Sequence, residues 1–565
     1  MNNISLKDFL DRVKERLTEL SHGDLRDLII AWAKKTTPAK RMEFLSSLSP
    51  PPSKMNAPEP DEELLEEINA FSERVENGDY CNGWGWDDAI REERDWGDES
   101  WAEESEDLFA RAREALLDGY CETAKNAYHE LFNILEMGQE PGHLPGHPDL
   151  SQMLGIDLAE ECACFLRAVY LAAPLEDRPE QLLAAWNEYG YFADDRLSLQ
   201  GMIEAGEEPL PDFDRFLPAW IDYLREIGTE HDLLREAVKM SGGVPALAAL
   251  ARQEGKAHPK NYVEWIKALE EEKNYPAMLE AAGEGLATVP QNYVVRAEIA
   301  RGMVKAAENL GDTDSQLVGW REAFYSKPDL DFFLNLLSLA EQKGCRQKEA
   351  EPAIARAMSL VEEENQNRGY YYPESKETIK SQASKSLLVQ ICLLSGHYEK
   401  AFAICREEGP LGWSFGQNPK GILIPFFLVL LAGDNGIRSL PNLKHLWENA
   451  AGTVNEQIGT QLPKRYSQAI ENIIKNIQLT EEEENKYLNW CIAEAEARLN
   501  EIVGGQHRGS YNKAANLIVS VAELLAVKGN KQRGAELINK YHQKYNRHRA
   551  FRQELKDATA RSGIY

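Results

Sequence analysis

Leu6, Phe9, Val13, Leu17 and Leu20 recur at steps of three and four residues. That spacing places them on one stripe of an amphipathic helix. A second stripe, Leu25, Leu28, Ile29 and Trp32, follows the break at Ser21-His22-Gly23. The pattern predicts a helical hairpin over residues 1–49. The stretch Ser49 to Pro60 (SPPPSKMNAPEP) carries five prolines, which no helix interior accepts. It reads as a semi-rigid linker over 50–60, reaching about 35 Å if extended as polyproline II. Residues 61–137 read as an acidic, Trp-rich helical unit. Helical repeats are then expected over 150–360 and again over 376–565. Loops Gly138 to Asp149 and Glu362 to Ser375 separate these segments.

Internal repetition sharpens this reading. In a tetratricopeptide repeat two helices meet at a small-residue turn, an aromatic opens the second helix, and alanines allow close approach. Tyr262, Trp265 and Leu269 share a first helical face. Asn274-Tyr275 forms the turn, Ala281 and Leu286 continue the second helix, and Pro290 closes the unit. Gly396-His397-Tyr398 with Ala401 repeats the turn; Gly119-Tyr120 with Ala124 and Gly529 with Ala535 are looser copies. The spacing drifts from Pro259 to Pro290 to Pro328. The expected fold class is all-α, an irregular α-solenoid of tetratricopeptide-like helical hairpins.

Three stretches carry a family resemblance: Gly23 to Leu48, Asp232 to Lys256, and His507 to Leu525 continuing through Ala550 to Asp557. They resemble the helical region that follows the zinc finger in prokaryotic SWIM zinc-finger proteins. The resemblance implies a helical-repeat module. The finger itself requires a CxC…CxH metal pattern. Here CxC occurs at Cys162 and Cys164 with no CxH after it, so the finger and any nucleic-acid role tied to it do not carry over.

Charge and cysteine content narrow the function. The formal charge is -30 over 565 residues. A surface of that sign repels phosphate backbones and suits a basic peptide or protein partner. The eight cysteines form no CxxC pair, which fits a reducing compartment. The N-terminal residues alternate charged and apolar and contain no signal-peptide core. The longest apolar run, Ile422 to Ala432, is too short to span a bilayer and reads as a core helix. A cytoplasmic protein with no membrane partner is expected, its oligomeric state left open.

Three constellations invite chemistry. His143, His147, Cys162 and Cys164 have the side chains of a tetrahedral zinc site. Residues two apart on a helix point about 200° apart, however, so both thiols cannot face one ion. No metal and no cofactor is expected. The segment Asn77 to Glu104 sets Trp84, Trp86, Trp96 and Trp101 among acids that include Asp87 and Asp88. Aromatic faces beside carboxylates suit a lysine or arginine side chain. The alternative is that these tryptophans fill gaps between the linker and the first repeat. Finally, residues 501–565 hold twelve Lys/Arg against five Asp/Glu. Lys540, Lys544, Arg547, Arg549 and Arg552 are candidate contacts for nucleic acid or an acidic partner. On one helix they fall on two sides, and a single stripe requires a break at Asn546.

Phosphate-loop, HExxH and GxSxG motifs are missing from the sequence. The chain is therefore expected to be non-enzymatic, a scaffold or regulatory adaptor that binds a protein or peptide. A nucleic-acid-associated regulator acting through the C-terminus is the alternative.

Overall fold

Apolar stripes at helical spacing must be buried against one another, and pairing consecutive helices is the shortest way to do so. The computed structural model follows this rule. It describes residues 4, 6–35, 40–41, 44–45, 48, 61–147, 149–366, 376–413, 418–433, 439–452 and 461–565. The expected linker over 50–60 and most of the break over 362–375 lie outside the described residues. The described residues form an all-α, irregular solenoid of helical hairpins with one two-stranded sheet. By internal packing the chain divides into two units, residues 1–243 and 244–565.

The first unit holds α1 (Leu6–Glu19), α2 (His22–Lys35), α3 (Asp61–Glu76), β1 (Cys81–Asp87), β2 (Glu92–Gly97), α4 (Trp101–Leu117) and α5 (Cys121–Gly138). It continues with α6 (Leu158–Ala172), α7 (Arg178–Tyr189), α8 (Leu199–Glu204) and α9 (Phe213–Ile227). Sequential helices from α4 to α7 pack on each other, and α3 packs on α5. Phe109, Tyr128, Phe132, Phe165 and Tyr189 interlock at the centre with ring centroids 5.4–6.4 Å apart. The antiparallel β1–β2 hairpin departs from the helical unit expected over 61–137.

The helical run α10 (His231–Glu254) is broken at Gly243, whose φ of 59° and ψ of −150° are not helical. The boundary between the units falls at this break, inside the stretch expected as one repeat region over 150–360.

The second unit begins with the hairpin α11 (Lys260–Glu271) and α12 (Tyr275–Thr288), as the Tyr262 and Tyr275 pattern predicts. It continues through α13 (Arg296–Leu310), α14 (Thr313–Ser326), α15 (Leu330–Gln342), α16 (Arg346–Gln366), α17 (Lys385–Leu394) and α18 (Tyr398–Arg406). Up to α18 each helix packs on its successor. Then come α19 (Lys420–Ala432), α20 (Pro441–Gly452), α21 (Leu462–Ile474), α22 (Glu481–Gly504), α23 (Tyr511–Val527), α24 (Lys531–Lys544) and α25 (Arg549–Ser562). Here the chain folds back: α21 packs on α15 and α17, and α20 packs on α23 and α25. Arg465 of α21 fixes the first of these contacts by bonding Asp331 and, at 2.6 Å, the side-chain oxygen of Asn335. One apolar cluster runs from Ala297 to Ala558, so the regions expected over 150–360 and 376–565 share a core.

The apolar run Ile422 to Ala432 forms most of α19 and is buried throughout. At its start the buried Lys420 pairs with Glu494 of α22 at 2.7 Å. Among the described residues no helix is long and apolar enough to cross a membrane.

Candidate functional site

The β1–β2 hairpin presents the largest aromatic side chains of the first unit to solvent. Trp84, Trp86 and Trp96 are 53%, 57% and 41% exposed. Strand geometry sorts the segment's residues by parity, because successive side chains point to opposite faces. Trp84 and Trp86 share one face, about 7 Å apart along the strand. Opposite them across the ladder stand Asp95 and Glu93. The Trp84 indole N–H donates to Glu93 at 3.2 Å, and the Trp86 N–H donates to Asp88 at 3.0 Å. Both rings are thus held at their polar edge, with a carboxylate beside each. Among the described residues no cation lies over either ring.

The other face already holds a cation of the chain's own. Arg94 lies over the Trp96 ring, 4.0 Å from its centroid, and pairs with Asp87 at 3.0 Å and Glu99 at 3.2 Å. Trp96 also covers Gly85, where a Cβ would stand 3.2 Å from its indole nitrogen. Two expectations are corrected here. Asp87 belongs to this second face and is engaged by Arg94, because it is one residue out of phase with Trp86. Trp96 has one ring face already taken by a cation of its own chain.

Trp101 requires a third correction. It opens α4, is fully buried, and donates its indole N–H to the Pro145 carbonyl at 2.8 Å. It is a core residue that anchors the 138–149 loop and is closed to a partner. The base of the hairpin is tied to the same loop. Gly146 N–H donates to the Asp95 carbonyl at 3.1 Å, and Gly142 N–H donates to the Asp95 carboxylate at 2.6 Å. Tyr80 donates to Glu104 at 2.7 Å, and Arg74 bonds the same carboxylate. Gly97 leaves no room for a side chain, since a Cβ there would fall 1.9 Å from the Tyr80 carbonyl oxygen.

The histidine and cysteine constellation is dispersed. Cys162 and Cys164 are buried on α6, and their sulfurs face the Tyr189 and Ala205 carbonyls at 3.6 and 4.0 Å. Burial pushes the Cys164 thiol up to about 12. The His143 ring lies 3.0 Å from the Val75 carbonyl, and His147 contacts Asp149. Among the described residues no group of three or more His, Cys, Asp or Glu side chains could hold a metal ion.

The basic C-terminus is split between α24 and α25, with Arg547 in the joint. Several of its cations are engaged by α22. Lys528 pairs with Glu484 at 2.6 Å, Lys540 with Glu496 at 2.6 Å, and Lys544 with Asn500 at 2.7 Å. Each pair is separated by 44 residues, so α24 lies parallel to α22 with fixed register. Arg552 bonds His542 at 3.2 Å and the Asn546 carbonyl at 3.3 Å. Arg549 is exposed at the start of α25. The five candidate cations therefore do not form one open stripe, because Lys540 and Lys544 are turned toward α22 and Arg552 toward His542 and Asn546.

Fold and site together describe a helical-hairpin protein with an exposed tryptophan hairpin. No protein-family profile and no curated protein matches the chain. Among solved structures it is similar to a circular tandem repeat protein with novel repeat topology and enhanced subunit contact surfaces. The identity is 13% and the TM-score 0.15, over 88% of this chain and 96% of that one. The fold described above rests on the helix packing and not on this likeness.

Proposed function

We propose that this chain is a non-enzymatic interaction scaffold whose Trp84–Trp86 face receives a lysine or arginine side chain from a protein or peptide partner. A helical-repeat fold is compatible with such a role. The carrying observation is the asymmetry of the hairpin. On one face Arg94 already lies over Trp96, an intramolecular instance of the contact proposed for the partner. On the other face two indoles stand open beside Glu93 and Asp88. A cation over such a ring gains from the ring quadrupole, on the order of 0.5–2 kcal/mol, and the carboxylates add charge pairing. Their N–H bonds hold the rings before the partner arrives, which lowers the ordering cost of binding. The chain's charge of -30 draws basic partners by long-range attraction.

Residence in the reducing cytoplasm belongs to the same proposal, supported by eight free thiols, five of them buried. So does kinship with the helical region of SWIM zinc-finger proteins, which rests on the three stretches quoted above.

Titration with a lysine- and arginine-rich peptide tests the reading through tryptophan fluorescence. A saturable, salt-sensitive change is expected, with at least a tenfold loss of affinity in Trp84→Ala/Trp86→Ala. The double variant should keep the wild-type melting curve, since both rings are exposed. If it unfolds, or if an acidic control peptide binds equally well, the hairpin is a structural element instead.

A further inference from the structure

In the second unit, α19, α20, α22, α23 and α25 line an open-mouthed cavity of about 780 Å³. That size suits a small molecule. Its wall contains a buried cation that forms no ion pair among the described residues, although Glu501 on the same helix acts on its charge. Arg498 of α22 is 8% exposed, its Nε has no hydrogen-bond partner, and among the described residues no carboxylate is paired with it. A buried guanidinium is ordinarily paired and hydrogen-bonded, because desolvating its charge is costly. An unpaired one facing a cavity leaves a position where an anionic group can bond it.

The surrounding residues fit that anion. Arg561 of α25 and Lys513 of α23 line the same cavity, so three helices each contribute a cation. Arg561 is held in place by bonds to Asn442 and Asn516 at 3.2 and 3.4 Å. Asn442 is itself locked by the fully buried Glu523, which accepts from its side-chain amide at 2.7 Å and from the Leu443 N–H at 3.0 Å. This framework fixes a cation before any ligand arrives. Two carboxylates also line the cavity. Glu448 and Glu554 stand in the lining with Arg498, Arg561 and Lys513, and Glu448 lies 3.8 Å from Lys444. Two guanidinium groups on one cavity wall stand out in a chain whose overall charge is -30.

We propose that this cavity binds a small molecule through an oxyanion, a phosphate or a carboxylate, with Arg498 and Arg561 as the principal contacts. Planar guanidinium groups bond either oxyanion in bidentate fashion. The volume beyond one oxyanion accommodates the rest of the molecule, against the amide side chains of Asn449 and Asn512. The site is independent of the tryptophan hairpin.

Calorimetry on the full chain with inorganic phosphate, and separately with citrate, tests it at constant ionic strength set by chloride. At least one of the two should bind saturably and raise the melting temperature. Phosphate binding without citrate binding assigns the phosphate class, and the reverse assigns the carboxylate class. Arg498→Met keeps the side-chain volume and removes the charge. It should weaken binding at least tenfold while leaving the unliganded melting temperature unchanged or higher. Should that variant fail to fold, Arg561→Gln provides the second measure, with an expected loss of tenfold or more. Absence of saturable binding by both anions overturns the proposal. So does undiminished binding in the variant that folds.

Discussion

At the scale of single residues, burial decides which polar groups are structural and which are poised to titrate. Glu161 of α6 is 1% exposed; Arg113 bonds it and Tyr128 donates to it at 3.0 Å. Both partners favour the carboxylate, yet desolvation outweighs them and pushes its pKa up to about 7. Between the ordinary carboxylate range and pH 7, the folded chain therefore holds a proton that the unfolded chain has released. Stability from this group is full at low pH and is lost as pH rises toward 7. Denaturant unfolding of wild type and Glu161→Gln at pH 5 and pH 8 should expose the difference. The wild type should lose on the order of 2 kcal/mol more than the variant over that interval. Parallel losses would show that Arg113 keeps Glu161 ionised throughout. This behaviour was not legible in the sequence. Glu160 and Glu161 look alike there and both pair with Arg113; only the burial of Glu161 beside Tyr128 separates them.

At the scale of elements, one turn joins helix to helix repeatedly. After α4, α13, α15, α17 and α23 the chain passes through Gly119, Gly311, Gly344, Gly396 and Gly529, all with φ between 66° and 90°. In each case the following N–H reaches back to a carbonyl five residues earlier, as in His397 to Cys392 at 2.8 Å and Asn530 to Leu525 at 2.8 Å. This is a Schellman closure, which needs a left-handed residue that glycine adopts most cheaply. The α11–α12 joint has the same bond, Asn274 to Leu269 at 2.9 Å, but places Lys273 at φ 56°. Lys273→Gly should therefore raise stability, by about 0.5–1 kcal/mol, in equilibrium unfolding. A destabilised variant would mean that the lysine side chain makes up for its backbone strain. These turns explain why helix pairing was readable: Gly396-His397-Tyr398 and Gly119-Tyr120 mark the joints directly. The β-hairpin was not readable because its alternation is short. Trp84 and Trp86 supply only two beats of period two, and Glu92 to Asp95 reads as an ordinary solvated run. The exposed face it creates was legible as composition, tryptophan among acids, but its sorting of Asp87 from Asp88 follows from where β1 ends: Asp87 closes the strand on the Arg94 face, and Asp88 lies in the turn that accepts from Trp86.

At the scale of the whole molecule, the continuity of the core matters more than the spacing of the repeats. The sequence marks its strongest boundary at the prolines of 50–60, and a further break over 362–375. The packing instead divides at Gly243, where a backbone conformation reserved for glycine interrupts an otherwise helical run. The apolar cluster from Ala297 to Ala558 crosses the 362–375 break because α17 packs on α15 and α16, and α21 returns to α15 and α17, where Arg465 bonds Asp331. Distant pairings of this kind leave no local periodicity. The same convergence of helices builds the cavity around Arg498, whose walls come from segments between residues 411 and 561. If the second unit carries its own core, residues 244–565 expressed alone should be helical and unfold in one cooperative transition. Cutting instead at 375 should give fragments that aggregate or lack a cooperative melt, since that cut divides the cluster. Circular dichroism and calorimetry on the three fragments distinguish the outcomes. A well-folded 376–565 fragment would mean that the repeat arrays on either side of the break are separate domains, and that the Arg465–Asp331 link is incidental to folding.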